Sequence, residues 1–212
     1  ARVIEKDYIL GWMLAGIYNH EALKDGWVFK GGTCLKKCYF ETYRFSEDLD
    51  FTLRDPAHIN MVFLNRTFAE VATWVADQSG IEVPADAISF DIHPDAAKKY
   101  VEGRVGYAGP LGRNRGNVAK IKLDISANEI LVKEPMDREV YHPYSDLPTN
   151  GIHALCYDYD EVFAEKVRAL AERLRPRDLY DVVHLYRRRE LVNDRAAVLT
   201  TLERKCTFKG IP

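Results

Sequence analysis

The sequence predicts an α/β (α+β) protein with a small mixed β-sheet flanked by helices over residues 1–152 and a helical domain over residues 153–212. Three observations carry this: a 3.6-residue apolar period near the start, short alternating segments in the middle, and helical periodicity again from Tyr159 onward. Ile9, Leu10, Met13, Leu14 and Ile17 share one helical face, which predicts an amphipathic helix over residues 5–23. Asp25-Gly26 marks a turn, Trp27-Val28-Phe29 is β-prone, and Gly31-Gly32 breaks it before a short helix over 33–39. A strand over 48–53 follows and ends at Arg54-Asp55-Pro56. Met61, Val62, Leu64, Phe68, Val71 and Val75 then set a helix over 57–77, closed near Gly80. Residues 88–92, 100–107 and 119–126 read as strands, the last two joined by a Gly- and Arg-rich loop over 109–117. Pro135, Pro143 and Pro148 read as an irregular connector, and helices are expected over 159–174, 177–188 and 194–204. In the first of these, Phe163, Val167, Leu170 and Leu174 form the expected buried stripe.

With 212 residues, 47% of them hydrophobic and 29% charged, the chain has enough apolar content for a real core, which excludes general disorder. It holds no run of about 18 apolar residues for a membrane span, and Glu5, Lys6 and Asp7 do not fit a signal peptide, so a cytoplasmic protein is expected. A net charge of -2 argues against coating nucleic acid by charge alone, although seven arginines cluster between Arg168 and Arg189. That cluster reads either as a local phosphate-binding surface or as solvated helix faces with pairs such as Arg168 and Glu172. Cys34 and Cys38, one helical turn apart, read as packing residues rather than half a metal site. None of the six histidines has metal-ligand spacing, and no nucleophile elbow or catalytic cysteine signature occurs.

The chemistry-bearing pattern starts at Asp48-Leu49-Asp50. In a strand, residues i and i+2 point to one face, so the two carboxylates project together while Leu49, Phe51 and Leu53 face the core. Paired carboxylates repel, and a divalent cation relieves this; hard oxygen donors favour Mg²⁺ or Mn²⁺. A lone DxD is also ordinary surface chemistry. The second strand changes the weighing, because Lys122, Asp124 and Ser126 share a polar face opposite Ile121, Leu123 and Ile125. Placed beside the first strand, Asp124 would complete a three-carboxylate cluster able to hold two metal ions for in-line phosphoryl transfer, and to accept the hydroxyl proton. Gly31, Gly32 and Thr33 before a helix would let backbone amides approach a triphosphate, although the same tripeptide also makes a plain strand-to-helix turn. The combination reads as transfer of a nucleoside monophosphate from an NTP with loss of pyrophosphate.

Phe29-Lys30-Gly31-Gly32-Thr33-Cys34-Leu35, followed by Arg44-Phe45-Ser46-Glu47-Asp48-Leu49-Asp50-Phe51, resembles the first motif of the AbiEii and MenT type nucleotidyltransferase toxins, within the polymerase-β-like superfamily. Lys122-Leu123-Asp124 resembles the second motif. Glu165-Lys166-Val167-Arg168-Ala169-Leu170 with Arg173 resembles the third, and Arg177-Asp178-Leu179-Tyr180-Asp181 the fourth, so the likeness spans roughly residues 5–190. The resemblance implies a nucleotidyltransferase fold, an NTP lying between the two domains, Ser46 and Lys166 on the nucleotide, and Asp178 or Asp181 as nucleotide or metal-site partners. By pattern alone, Lys166 is equally a surface lysine, and both aspartates suit the first turn of a helix. The resemblance further implies an RNA acceptor such as the 3′ end of tRNA, with Arg113, Arg115, Arg173 and Arg177 as candidate contacts, and a separate antitoxin protein as partner. Relatives often continue with further helices, which leaves open a truncated C-terminal domain. A small molecule such as an aminoglycoside, or a protein side chain, stays open as acceptor. So does a non-catalytic nucleotide- or partner-binding module, which carboxylates beyond a metal-bridging reach of about 4 to 6 Å would favour.

Overall fold

The structure is a computed structural model that describes residues 1–94, 99–111 and 119–211. Its elements are α1 (Arg2–Asn19), β1 (Trp27–Lys30), α2 (Gly31–Cys34) continued by a π-helical turn (Leu35–Tyr39), β2 (Asp48–Leu53), α3 (Met61–Ser79), β3 (Ile88–Ile92), β4 (Tyr100–Tyr107), β5 (Ala119–Ser126), β6 (Met136–Glu139), β7 (His153–Cys156), α4 (Tyr159–Arg173), α5 (Pro176–Arg187) and α6 (Arg195–Lys209). The seven strands form one mixed sheet in the order β3-β4-β5-β2-β1-β7-β6. β2 runs parallel to β5 and antiparallel to β1, and β1 runs parallel to β7. The contacts divide the chain into two compact units, one of Ala1–Asn128 with Asp137–Cys156, the other of Glu129–Met136 with the residues from Tyr157 onward.

In the first unit the alternation along β2 and β5 separates an apolar face from a polar one. Leu49, Phe51, Leu123 and Ile125 are fully buried on the apolar face. Phe51 lies between Trp27 (ring centroids 5.3 Å apart) and Phe29 (5.5 Å), and Phe68 of α3 reaches both Trp27 (5.8 Å) and Phe90 (5.1 Å). Each such pair adds about 0.5–1.5 kcal/mol beyond the area it buries. α1 and α3 meet closely at Gly16, where a Cβ would come within 2.7 Å of Val75. The centre of α1 is buried on every side from Ile9 to Ile17, a deeper placement than an amphipathic stripe.

Several boundaries have local causes. α1 stops at Asn19, short of residue 23, because the His20 ring accepts the Ala22 amide (3.2 Å) and the chain turns there, with Leu23 N bonded to His20 O (2.9 Å). α3 begins at Met61, since Asn60 accepts the Phe63 amide (3.0 Å), while Asp55 caps a separate 3-10 turn over Pro56–His58. Gly80, at φ 72, closes α3 in the left-handed conformation. The expected irregular connector contains β6 and β7. β6 is polar and lies at the sheet edge, and β7 has four residues, so neither shows a readable alternation.

The second unit is built differently. In α4 the expected stripe of Phe163, Val167, Leu170 and Leu174 is not the buried face: the first three are half-buried, and Leu174 is 79% exposed. Asp160, Glu161, Lys166 and Arg168 are buried instead, because each finds a charged partner. Lys205 Nζ of α6 lies 2.9 Å from Glu161 and 3.1 Å from Glu165 and donates to Ile130 O (3.0 Å). Lys133 meets Asp160 at 2.8 Å, and Arg168 meets Glu172 at 2.7 Å. No helix among the described residues is long and apolar enough to cross a membrane.

Candidate active site

The parallel register of β2 and β5 sets Asp48 opposite Lys122 and Asp50 opposite Asp124. Neighbouring strands lie about 4.8 Å apart, so the backbone brings Asp50 and Asp124 side by side, on the face shared with Asp48. The next strand adds to this face, because β4 places Tyr100 opposite Ser126, Glu102 opposite Asp124 and Arg104 opposite Lys122. Tyr100 donates its hydroxyl to Asp124 Oδ1, and Lys122 Nζ lies 2.9 Å from Oδ1 and 3.1 Å from Oδ2 of the same carboxylate. Lys122 also meets Glu102 at 3.2 Å, and Glu102 pairs with Arg104.

The charges press on one another. Burial, and then the negative charge of Asp124, push the Asp48 carboxyl above its ordinary range, against the pull of Lys122 and Lys6. Burial works against the charge of Lys122, but its hydrogen bonds and charge interactions with Asp124 and Glu102 outweigh that and raise its pKa. Burial, then the Asp124 hydrogen bond, raise Tyr100 well above the ordinary phenol value, so it serves as a donor. Oxygens of the three aspartates do not all converge within 4.8 Å among the described residues, where Asp124 is committed to Tyr100 and Lys122. The donor set still suits a hard divalent cation: Asp48 and Asp50 project from one strand, Asp124 adjoins Asp50, and the strain of their like charges is what a cation removes.

The turn after β1 is moulded to these carboxylates. Gly31 adopts φ 80, and a Cβ there would overlap the Asp50 carboxylate. A Cβ on Gly32 would stand 2.8 Å from Ser46 Oγ and 3.0 Å from an Arg44 guanidinium nitrogen. Thr33 is fully buried and donates its hydroxyl to Asp48 O (2.6 Å), so its side chain ties α2 to the start of β2. Such a bond is worth about 1 kcal/mol.

The remaining predicted site residues lie in the second unit, apart from two. Lys166 of α4 is buried and ion-paired with Asp181 of α5 at 2.8 Å; Arg173 pairs with Asp178 at 3.0 Å. Arg177 is exposed in the first turn of α5. Arg113 and Arg115 fall outside the described residues. Tyr100, Glu102 and Arg104 carry no motif in the sequence, and Arg44 stands there only as part of the first motif. A signal existed for Lys122, two residues from Asp124 on the same face, but the partnership of β4 with β5 that brings in Tyr100 and Glu102 is tertiary.

A family model for the nucleotidyl transferase AbiEii toxin of type IV toxin–antitoxin systems matches residues 12–212. No curated protein matches the chain. The match takes in both units and all four motifs quoted above: the chain belongs to the AbiEii family of nucleotidyltransferase toxins.

Proposed function

We propose that the chain transfers a nucleoside monophosphate from an NTP to an acceptor hydroxyl on RNA, with release of pyrophosphate, using a divalent cation, Mg²⁺ or Mn²⁺. The observation that carries this reading is the pairing of Asp50 with Asp124 across β2 and β5, on the face shared with Asp48 and against the Gly31 turn. Asp48 and Asp50 would hold the cation, which when bound would neutralise phosphate charge and orient the transferring group. Asp124, oriented by Tyr100 and Lys122, is the acceptor for the proton of the attacking hydroxyl. Gly31, Gly32 and Thr33 would take the triphosphate on their backbone amides, with Ser46 beside Gly32. Arg44, near the same glycine, adds a positive charge.

Lys166 as a phosphate partner, and Asp178 and Asp181 as nucleotide-site residues, rest on the motif resemblance. The Lys166–Asp181 and Arg173–Asp178 ion pairs that join α4 to α5 equally suit a structural part. The 3′ end of tRNA as acceptor, Arg113, Arg115, Arg173 and Arg177 as RNA contacts, a cognate antitoxin protein as inhibitor and a cytoplasmic setting are supported by family membership alone.

The test is incubation of the purified chain with each labelled NTP, Mg²⁺ and separate RNA, protein and small-molecule fractions, beside Asp50→Asn. Label in RNA that disappears with Asp50→Asn is the expected result. Label in another fraction moves the acceptor to a protein or a small molecule, and folded protein that transfers to no fraction overturns the reading.

A further inference from the structure

Cys156 is far from Cys34 and Cys38 in sequence, yet the first unit brings all three to one point. Their sulfurs all lie within 4.8 Å of one another, and all three residues are buried. Cys34 ends α2, Cys38 sits in the π-helical turn that follows, and Cys156 ends β7, whose register with β1 sets it opposite Phe29. Cys206, the fourth cysteine, lies in α6 of the other unit and is only half-buried. We propose that Cys34, Cys38 and Cys156 form a three-thiolate site for a thiophilic d¹⁰ cation, Cu⁺ or Zn²⁺.

Three features favour a site over simple packing of small side chains. The first is metric. A metal–sulfur bond of about 2.3 Å puts sulfurs about 3.8–4.0 Å apart in a tetrahedral or trigonal arrangement, so the sulfurs need to close by less than about an ångström. The second is chemistry: among the described residues this is the one set of three metal-ligating side chains that converges, it is all sulfur, and its burial keeps water away. Soft donors select Cu⁺ and Zn²⁺ over the hard cations proposed for the aspartates, so the two sites do not compete. Three sulfurs without a fourth donor suit three-coordinate Cu⁺ more closely than Zn²⁺, which usually takes four ligands.

The third feature is electrostatic. Arg138 donates from Nε to Cys38 O (2.8 Å) and stacks over Tyr39 with its guanidinium 4.0 Å from the ring centroid, which fixes a cation beside the cluster. Buried Lys37, next in the chain, is held by Asp7 at 2.7 Å. Binding would release one proton from each thiol, leaving a complex of net charge −1 with Zn²⁺ or −2 with Cu⁺ beside the Arg138 guanidinium. No electron is transferred. The site does not depend on the proposed nucleotide chemistry.

The full chain, stripped of metal and kept reduced, is loaded with one equivalent of Zn²⁺ or of Cu⁺, desalted and assayed for metal content, then titrated with a chromophoric chelator for each ion. One cation per chain is expected, with at least about a hundredfold weaker retention in Cys38→Ser and unchanged retention in Cys206→Ser. The arm that survives chelator competition identifies the ion. Folded wild-type protein that retains neither ion overturns the proposal, as does equal retention in Cys38→Ser. Should Cys38→Ser fail to fold, X-ray absorption on the loaded wild type decides: three sulfurs at about 2.3 Å uphold the site, and oxygen or nitrogen ligands overturn it.

Discussion

The two units handle charge in opposite ways. In the first, aromatic and aliphatic side chains fill the apolar face of the sheet, and carboxylates gather on the other face, where the charge of Asp124 presses on Asp48. In the second, the buried positions of α4 carry Asp160, Glu161, Lys166 and Arg168, each tied to a partner of opposite sign. Like charges held together weaken a fold and are kept where a ligand will use them, whereas matched buried charges hold a fold only as long as both partners remain. The difference teaches where a charge change should cost activity and where it should cost stability.

The largest effect is expected at Asp50→Asn. NMP transfer should fall at least about a hundredfold, since removing a cation ligand costs several kcal/mol of transition-state stabilisation, while the midpoint of urea unfolding stays close to wild type. Lys205→Met should show the reverse. It removes the buried cation that Glu161 and Glu165 share, leaving Glu161 only the Val132 and Lys133 amides, and is expected to cost about 3–5 kcal/mol by denaturant unfolding. A wild-type-like midpoint for Lys205→Met would erase the contrast between the units. Gly11→Ala probes the apolar unit by steric means: its Cβ would overlap the His142 ring, and a loss of about 1–3 kcal/mol is expected.

Smaller effects sharpen the comparison through pH. The folded-state pKa of Asp48 is raised, so the first unit loses stability as pH rises from about the ordinary 3.8 through that raised value. Asp48→Asn should therefore raise the thermal midpoint at pH 7, a small gain in stability beside its loss of a cation ligand. His142 shifts the other way: burial, then Lys37, hold it below 6.5. The unfolded chain takes up this proton first, so stability should fall as pH drops below 6.5 toward the depressed folded value. His142→Phe should flatten that part of a thermal midpoint against pH curve.

Much of the first unit was legible in the sequence because its signals are local. The alternation in β5 gives both its bounds and the face of Asp124, and Gly31-Gly32 marks the turn that φ 80 requires. β6 and β7 were not legible, since a four-residue edge strand of Met136, Asp137, Arg138 and Glu139 has no apolar rhythm. Cys156 was hidden with β7, which is why Cys34 and Cys38 read only as packing residues. The face of α4 was misread for a physical reason: a helical wheel assumes that only hydrocarbon is buried, and here Asp160, Glu161, Lys166 and Arg168 share the buried face with Val162, Ala164 and Ala169. Which motifs share a family was readable from short runs such as Gly31 to Leu35. How Lys122, Tyr100 and Glu102 surround Asp124 depends on strand order, which short runs do not encode.

The fit of Gly31 against Asp50 has a genetic consequence. Every missense change of a glycine codon adds at least a Cβ, and at this position the easiest relief is for the Asp50 side chain to swing aside, with a further cost of about 1–2 kcal/mol for the left-handed backbone. The cell would then make a folded protein with a disarmed site. In a selection for bacteria that survive expression of the toxin without its antitoxin, escape alleles should therefore recur at codon 31 and yield full-length chain at near-normal abundance, where escape alleles in the buried ion pairs of the second unit should yield little.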